Sequence, residues 1–251
     1  MSLVAAKSPY TLQILHDEDA PNPREDRDNL GTMVCFHRRY NLGNKHGFNE
    51  PSDFFLSLLE EKLGDTEAAE EKYKELAGEI DIAIYKRSHG TYRKAVDDNI
   101  LDFLSDSYAV LPLYLYDHSG ITINTTGFSC TWDSGQIGWI YASHEDIKKE
   151  YGEVTPETIQ KAENLMRSEV KEYDYYLTDQ CYGFRLFENG EETDSCWGFL
   201  GDLKEVKEEI ASHLPDACRG MTDILEDLDD SMDMDEYFEN QTEDEEMEDE
   251  P

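Results

Sequence analysis

Cys130, His118, Asp117 and Asp133 lie within a stretch of 17 residues and have side chains that can carry out nucleophilic catalysis. A cysteine nucleophile needs a histidine base within hydrogen-bond reach and a third group that orients the imidazole. Cys130 stands in a glycine-flanked loop, with Asp133 three positions after it. One hypothesis is therefore an enzyme, a cysteine-dependent hydrolase centred on the Cys130 loop with Cys130, His118 and Asp133 as its site.

The secondary structure predicted around these residues argues against that site. Residues 108–116 are rich in apolar and aromatic side chains, residues 117–120 (Asp-His-Ser-Gly) are typical of a turn, and residues 121–125 alternate in polarity. This pattern predicts a β-hairpin with His118 in its turn. A hairpin turn and the far end of its second strand usually lie at opposite ends, so we expect Cys130 to lie away from His118. The interpretation without catalysis is a buried cysteine and a turn histidine, and we expect no catalytic residue.

Clustered acidic residues raise a second possibility, a metal site. The segment after His16 is crowded with Asp17, Glu18, Asp19, Glu25, Asp26 and Asp28. Hard cations prefer clustered oxygen ligands, but no HExxH or Walker-type loop is present. An EF-hand starting at Asp229 fails, because Met234 and Asn240 stand where Gly and Glu are required. We predict no metal and no cofactor; a metal-dependent nuclease stays part of the enzyme alternative, beside a solvated acidic loop.

Most of the arginines lie in the first 93 residues. They are Arg24, Arg27, Arg38, Arg39, Arg87 and Arg93. Together they can form a small basic pocket for a phosphate-bearing ligand. The other interpretation is that each arginine pairs with one of the many local acids. Both stay open at the level of sequence.

The charge of the chain is the strongest signal in the sequence. Fifty-eight acidic residues against twenty-two Lys and Arg give a formal charge of −36. Residues 220–251 hold sixteen acids and no Lys or Arg, which leaves −20 on residues 1–219. Such a charge repels nucleic acid and anionic membrane and attracts a protein with a basic groove. The predicted partner is therefore a basic nucleic-acid-binding protein, with no direct nucleic acid and no membrane.

Length and composition predict one α+β domain over residues 1–219, followed by a disordered acidic tail over residues 220–251. Fifteen Tyr, ten Phe and three Trp supply the core. Hairpin signals mixed with amphipathic helices predict a mostly antiparallel sheet with helices packed on one face. No apolar run reaches the roughly 18 residues of a membrane span, and no signal peptide is evident. Five widely spaced cysteines without a CxxC pair favour a reducing cytoplasm.

Two predicted helices carry the candidate partner-binding acids. The first covers residues 66–77, and its outer side offers Glu67, Glu70, Glu71 and Glu75. The second begins at Thr155-Pro156-Glu157 and runs to about Tyr176. Its acids are predicted as a second row: Glu157, Glu163, Glu169 and Glu172.

Three blocks of the sequence resemble uncharacterised proteins of bacteriophages and mobile elements. They are residues 22–43 (NPREDRDNLGTMVCFHRRYNLG), residues 113–143 (LYLYDHSGITINTTGFSCTWDSGQIGWIYAS) and residues 194–201 (DSCWGFLG). The resemblance spans most of residues 10–213 and carries no known activity. It implies a phage-like gene product in a bacterial cytoplasm. With the charge, it leads to our expectation of an anti-defence inhibitor that imitates nucleic acid. The sequence does not identify the target or the oligomeric state.

Overall fold

The computed structural model describes residues 1–80, 89–229 and 232–240. Its strands are β1 (Ser2–Lys7), β2 (Tyr10–His16), β3 (Thr32–Cys35), β4 (Tyr108–Asp117), β5 (Ile121–Asn124), β6 (Ser134–Ser143), β7 (Cys181–Glu188), β8 (Glu191–Leu200) and β9 (Glu226–Leu228). Its α-helices are α1 (Pro23–Asp26), α2 (Pro51–Leu63), α3 (Thr66–Gly78), α4 (His89–Leu104), α5 (His144–Tyr151), α6 (Pro156–Leu177) and α7 (Leu203–His213). Neighbouring strands pair antiparallel throughout the described residues, so the predicted antiparallel α+β class is confirmed.

The chain divides into two compact units. Met1–Pro23 and Tyr175–Pro251 belong to what we call the terminal unit, and Arg24–Asp174 form the central unit. Residues 1–219, predicted as one domain, contribute to both units, and the strands form two sheets rather than the single sheet predicted. The terminal sheet has the order β8-β7-β2-β1-β9, and the central sheet has the order β3-β6-β4-β5.

In the terminal unit, one face of the sheet packs on α7. The helix begins after Asp202, whose carboxylate accepts the backbone N–H groups of Lys204 and Glu205 at 3.0 Å. Its apolar side then meets every second residue of the strands, because alternate side chains share one face of a sheet. The buried residues of this core include Leu12, Ile14, Phe184, Phe199, Val206 and Ile210.

The folded part of the terminal unit extends past the predicted boundary after Arg219. A 3₁₀-helix covers Arg219–Asp223, β9 pairs with β1, and residues 234–240 are helical. The physical reason is that apolar residues are spaced among the acids: Leu228 and Met234 are buried with Phe187 of β7. The acids of this segment point to water instead. The remainder of the predicted tail, residues 230, 231 and 241–251, lies outside the described residues.

In the central unit, the predicted hairpin is present as β4 and β5. The two strands pair from Tyr114↔Asn124 to Asp117↔Ile121. On the other edge of β4, β6 pairs along its whole length, and Ser134 at its start lies opposite Tyr116. The face of the sheet that carries Trp139 is covered by α2, where the ring of Phe55 lies 4.8 Å from the indole. This face of the sheet and its helices form the core of the unit.

α2 and α3 follow each other directly, with only Gly64 and Asp65 between them. Gly64 ends α2 with φ +73°, a conformation that glycine adopts without steric cost. Asp65 then caps α3 by accepting the N–H of Ala68 at 2.8 Å. Ala69 and Leu76, seven residues apart, are the buried positions of α3. The outer side of α3 is therefore left to its acids.

A substitution at Gly138 of β6 tests how closely β3 approaches β6. A methyl group on Gly138 would overlap the backbone carbonyl oxygen of Val34, which cannot move without breaking the strand pairing. We expect Gly138→Ala to lower the free energy of unfolding by about 1–3 kcal/mol. Urea denaturation followed by tryptophan fluorescence measures this change. Gly135→Ala in the same strand is the control, because no atom lies within 4 Å of its added methyl group; equal stabilities of the two variants would contradict this account.

Candidate functional site

The first predicted row of acids is present on the solvent side of α3. All four members are exposed: Glu67, Glu70, Glu71 and Glu75. The helix is fixed from its opposite side, where Ala69 and Leu76 enter the core. The row is therefore a surface of defined spacing on a packed helix.

Two lysines of the same helix partly neutralise this row. Lys74 Nζ lies 3.3 Å from the Glu70 carboxylate, and Lys72 Nζ lies 2.6 Å from the Glu75 carboxylate. Glu67 and Glu71 form no salt bridge with any residue of the described ranges. Exposed pairs of this kind contribute about 0–1 kcal/mol, so a cationic partner can replace the lysines at little cost.

The predicted second row on α6 is wrong as a continuous surface. Glu169 is buried with 7 % of its surface exposed, because it lies three residues after Met166 and four before Tyr173, on the apolar side of the helix. Glu163 pairs with Arg167 at 3.4 Å, and Glu172 pairs with Arg27. Glu157 is exposed, but six residues separate it from Glu163, which puts the two on different sides of the helix.

Glu169 instead holds a buried network with Arg24 of α1. The Arg24 side chain has no exposed surface, and its Nη1 lies 3.2 Å from Glu169 Oε2. The carboxylate also accepts the backbone N–H groups of Leu30 at 2.8 Å and Gly31 at 3.1 Å. Burial lowers the pKa of Arg24, and the charge of Glu169 opposes that effect. Removing one member of such a pair lowers the stability of the fold, since the remaining charge would be buried without compensation.

Asn44 connects this network to the loop that follows β3. Its Oδ1 accepts Arg24 Nη2 at 3.0 Å and the backbone N–H of Met33 at 2.9 Å. The neighbouring Gly43 has φ +74° and donates its N–H to the hydroxyl of Tyr173 at 3.0 Å. The loop over residues 36–49 is here called the β3–α2 loop. Hydrogen bonds of Gly43 and Asn44 thus hold it near its middle, in addition to its attachment to β3.

The three residues of the cysteine hypothesis do come together, contrary to the separation expected from the hairpin. Asp133 Oδ2 lies 3.6 Å from Cys130 Sγ and 3.5 Å from His118 Nδ1. The reason is the pairing of β6: it starts opposite Tyr116, which returns the loop to the hairpin turn, where Asp117 N–H donates to Asp133 O at 2.8 Å.

The order of contacts in this cluster does not match a nucleophile–base pair. The thiol of Cys130 meets the carboxylate of Asp133, and the structure records no hydrogen bond between Cys130 and His118, both of which it describes. A histidine base would have to contact the nucleophile directly. Catalysis at Cys130 stays an alternative prediction that the geometry does not favour. Among the described residues, no group of three or more His, Cys, Asp or Glu can hold a metal ion, including those near Asp17.

The arginines predicted to form a basic pocket have different partners in the structure. Arg24 and Arg27 pair with glutamates of α6, and Arg39 pairs with Asp117. Arg93 lies 3.9 Å from Glu50, and Arg87 lies outside the described residues. Arg38 is exposed and forms no ion pair within the described part of the chain, and it lines a cavity.

That cavity is formed by the β3–α2 loop and has a volume of about 610 Å³. Sequence reasoning noted Arg38 but missed the other cationic and aromatic residues beside it. They are Phe36, His37, Tyr40, Lys45, His46 and Phe48. A signal was available: residues 29–49 contain no Asp or Glu, the longest such run in the chain. In a chain of charge −36, this run is a local cationic exception.

No family model, curated protein or solved structure matches this chain. Within the described ranges, every helix is too short or too polar to cross a lipid bilayer. The function is therefore argued from the side chains themselves.

A second cavity of about 1020 Å³ lies in the central unit and contains a perturbed carboxylate. Asp97 of α4 lines it with Arg93, Lys94 and Gln136. Burial raises the pKa of Asp97 from 3.8 to about 6, while the positive charge of Arg93 opposes the shift. Asp97 therefore changes its charge close to neutral pH, which makes it a probe of this cavity.

The buried network predicts a large effect of removing one charge. Glu169→Gln keeps the shape of the side chain but leaves the Arg24 guanidinium without its anion, so we expect a loss of about 3–5 kcal/mol in the free energy of unfolding. Glu163→Gln is the control, because its partner Arg167 is on the surface. Urea denaturation of both variants measures the difference. A Glu169→Gln protein as stable as the control would show that the network does not hold the unit together.

The raised pKa of Asp97 predicts a pH-dependent stability. The folded state binds the proton more tightly than the unfolded state, so the stabilisation from this group is complete below pH 4 and is lost as the pH rises through about 6. Asp97→Asn removes that loss. The melting temperature of the variant minus that of wild type should therefore increase as the pH rises from 4 to 7. Asp102→Asn, on the exposed side of α4, is the control and should leave the profile unchanged. Parallel profiles for Asp97→Asn and wild type would contradict the assignment.

Proposed function

We propose that this chain is a phage-type acidic binding protein that inhibits a nucleic-acid-binding host defence protein by nucleic-acid mimicry. The observation that supports the proposal is the row of four exposed carboxylates on α3. The proposed partner is a basic protein, reached in the bacterial cytoplasm, without direct nucleic acid, membrane or cofactor. The resemblance to phage and mobile-element proteins supplies the biological context.

The spacing of the row suits imitation of a phosphate backbone. Glu67 and Glu75 are eight residues apart, which is about 12 Å of helix axis. Four carboxylates over that length average one per about 4 Å of helix axis, close to the one phosphate per ~3.4 Å of duplex axis on one strand of DNA. A groove whose Lys and Arg side chains are spaced for phosphates can therefore meet successive carboxylates of α3.

The surroundings of the row strengthen its field. Residues 50–79 hold ten acidic and three basic residues, a net charge of −7 over two helices and their link. Fields of charges within about 8 Å of each other add up at physiological salt before screening removes them. Burial of Leu58, Leu59 and Leu76 fixes both helices against the core, so the carboxylates are presented without a cost of ordering the backbone.

The proposal predicts that α3 captures basic proteins. Wild-type protein on a solid support should retain nucleic-acid-binding proteins from a bacterial lysate at low salt, and added duplex DNA should displace them because it competes for the same groove. The fourfold variant Glu67→Gln, Glu70→Gln, Glu71→Gln, Glu75→Gln should bind the main captured protein about 10-fold more weakly or worse.

A matched variant separates the α3 surface from net charge. Glu145→Gln, Glu150→Gln, Glu208→Gln, Glu209→Gln changes the charge by the same amount at exposed positions of α5 and α7. It should retain the captured protein with nearly wild-type affinity. Equal loss in both variants, or capture that duplex DNA does not displace, would rule out mimicry by α3.

A further inference from the structure

The cavity of the β3–α2 loop is built before any ligand arrives. At its start, Phe36 N–H donates to Ile137 O at 2.7 Å and continues the strand pairing of β3. Further on, Asn44 N–H donates to Met33 O at 2.9 Å, and Val34 and Gly43 form a bridge. These bonds and the Arg24 network hold the loop, so a ligand would not have to order it.

The charged groups on the cavity wall are cationic. Arg38 is exposed and forms no ion pair with a described residue, and no acid lines the cavity. Lys45 Nζ lies 2.8 Å from the Glu25 carboxylate, but its side chain is 87 % exposed, so that pair is readily exchanged for another anion. A guanidinium and an ammonium together are the side chains that recognise a phosphate group.

Aromatic rings supply the rest of the wall. His46 lies between Phe36 and Phe48, with ring centroids 5.3 and 5.4 Å from its own. His37 stacks on Tyr40 at 5.1 Å with only 6° between the ring planes. Flat ring surfaces of this kind bind other planar rings by stacking, and stacking on an aromatic side chain contributes about 1–3 kcal/mol per nucleic-acid base.

One polar atom of the wall lacks a partner. His46 Nε2 lies 3.0 Å from the carbonyl oxygen of Cys35, which can only accept, so the ring carries its hydrogen on Nε2. Nδ1 is then an acceptor, and it is buried without a hydrogen bond to any described residue. Buried acceptors are normally satisfied, so this nitrogen is an exception among the groups around the cavity.

We propose that this cavity binds a free mononucleotide, with its phosphate on Arg38 and Lys45 and its base among the rings of the β3–α2 loop. The volume of about 610 Å³ falls in the range of 300–1,000 Å³ usual for ligand sites. A longer nucleic acid is disfavoured, because the charge of −36 repels a polyanion along its length, whereas a single phosphate can lie close to Arg38 and Lys45. The site is independent of the α3 surface.

Isothermal titration of the full chain with AMP, GMP, CMP and UMP tests the proposal. At least one should bind, and adenosine or inorganic phosphate alone should bind more weakly because each lacks half of the contacts. A 5′-phosphorylated DNA dodecamer should not bind at physiological salt. No binding by any of the four mononucleotides at about 1 mM would overturn the proposal. So would tighter binding of the dodecamer, which would make the site a nucleic-acid surface.

Substitutions in the wall of the cavity test where the mononucleotide binds. Arg38→Ala should weaken the bound mononucleotide about tenfold or more, and Phe48→Leu should weaken it while leaving inorganic phosphate unaffected. Arg167→Ala, an exposed arginine of α6, is the control and should bind normally. Unchanged melting temperatures verify that the variants fold. Equal affinity of Arg38→Ala and the control would overturn the proposal, while the fourfold α3 variant should bind the mononucleotide normally, so the two proposals fail separately.

Discussion

A guanidinium with no exposed surface needs an anion beside it, because an uncompensated buried charge costs several kcal/mol. In the central unit that guanidinium belongs to Arg24, and the anion is Glu169. The guanidinium of Arg24 also donates to Gly31, Asn29 and Asn44. One charged group therefore fixes the start of the unit, the approach to β3 and the loop after β3. This network and the backbone hydrogen bonds of Phe36 and Asn44 together define the walls of the cavity in the β3–α2 loop.

The central unit carries two surfaces of opposite electrostatic character. The outer side of α3 presents four exposed carboxylates, whereas the β3–α2 loop belongs to a run of residues without a single acid. The first suits an extended cationic groove, since many weak pairs can add up. The second suits a small anion, because its cations are few and its aromatic rings supply the remaining contact area. Neither surface requires the other to change shape.

Local signals predicted the parts of the structure that depend on local physics. The outward acids of α3 and the β4–β5 hairpin both follow from short-range patterns. The prediction of Glu169 as a surface acid is wrong because the helical period places it beside Met166 and Tyr173, on the apolar side of α6. The approach of Cys130 to His118 depends on which edge of β4 receives β6, which no local pattern specifies. The acid-free run of residues 29–49 is visible in the sequence, but the walls of the cavity are not, since Gly43 is held by a tyrosine 130 residues away.

The terminal sheet joins the two ends of the described chain. β2 pairs with β7, and β1 pairs with β9, although about 170 to 220 residues separate these strands in sequence. Because the chain emerges from the ribosome N-terminus first, the whole of the central unit emerges after β2 and before β7. Translation therefore imposes an order, in which the inserted unit can fold first. During that time β1 and β2 each lack a neighbouring strand on one edge. Until then the short hairpin of β1 and β2 keeps two open edges, one that β7 closes beside β2 and one that β9 closes beside β1.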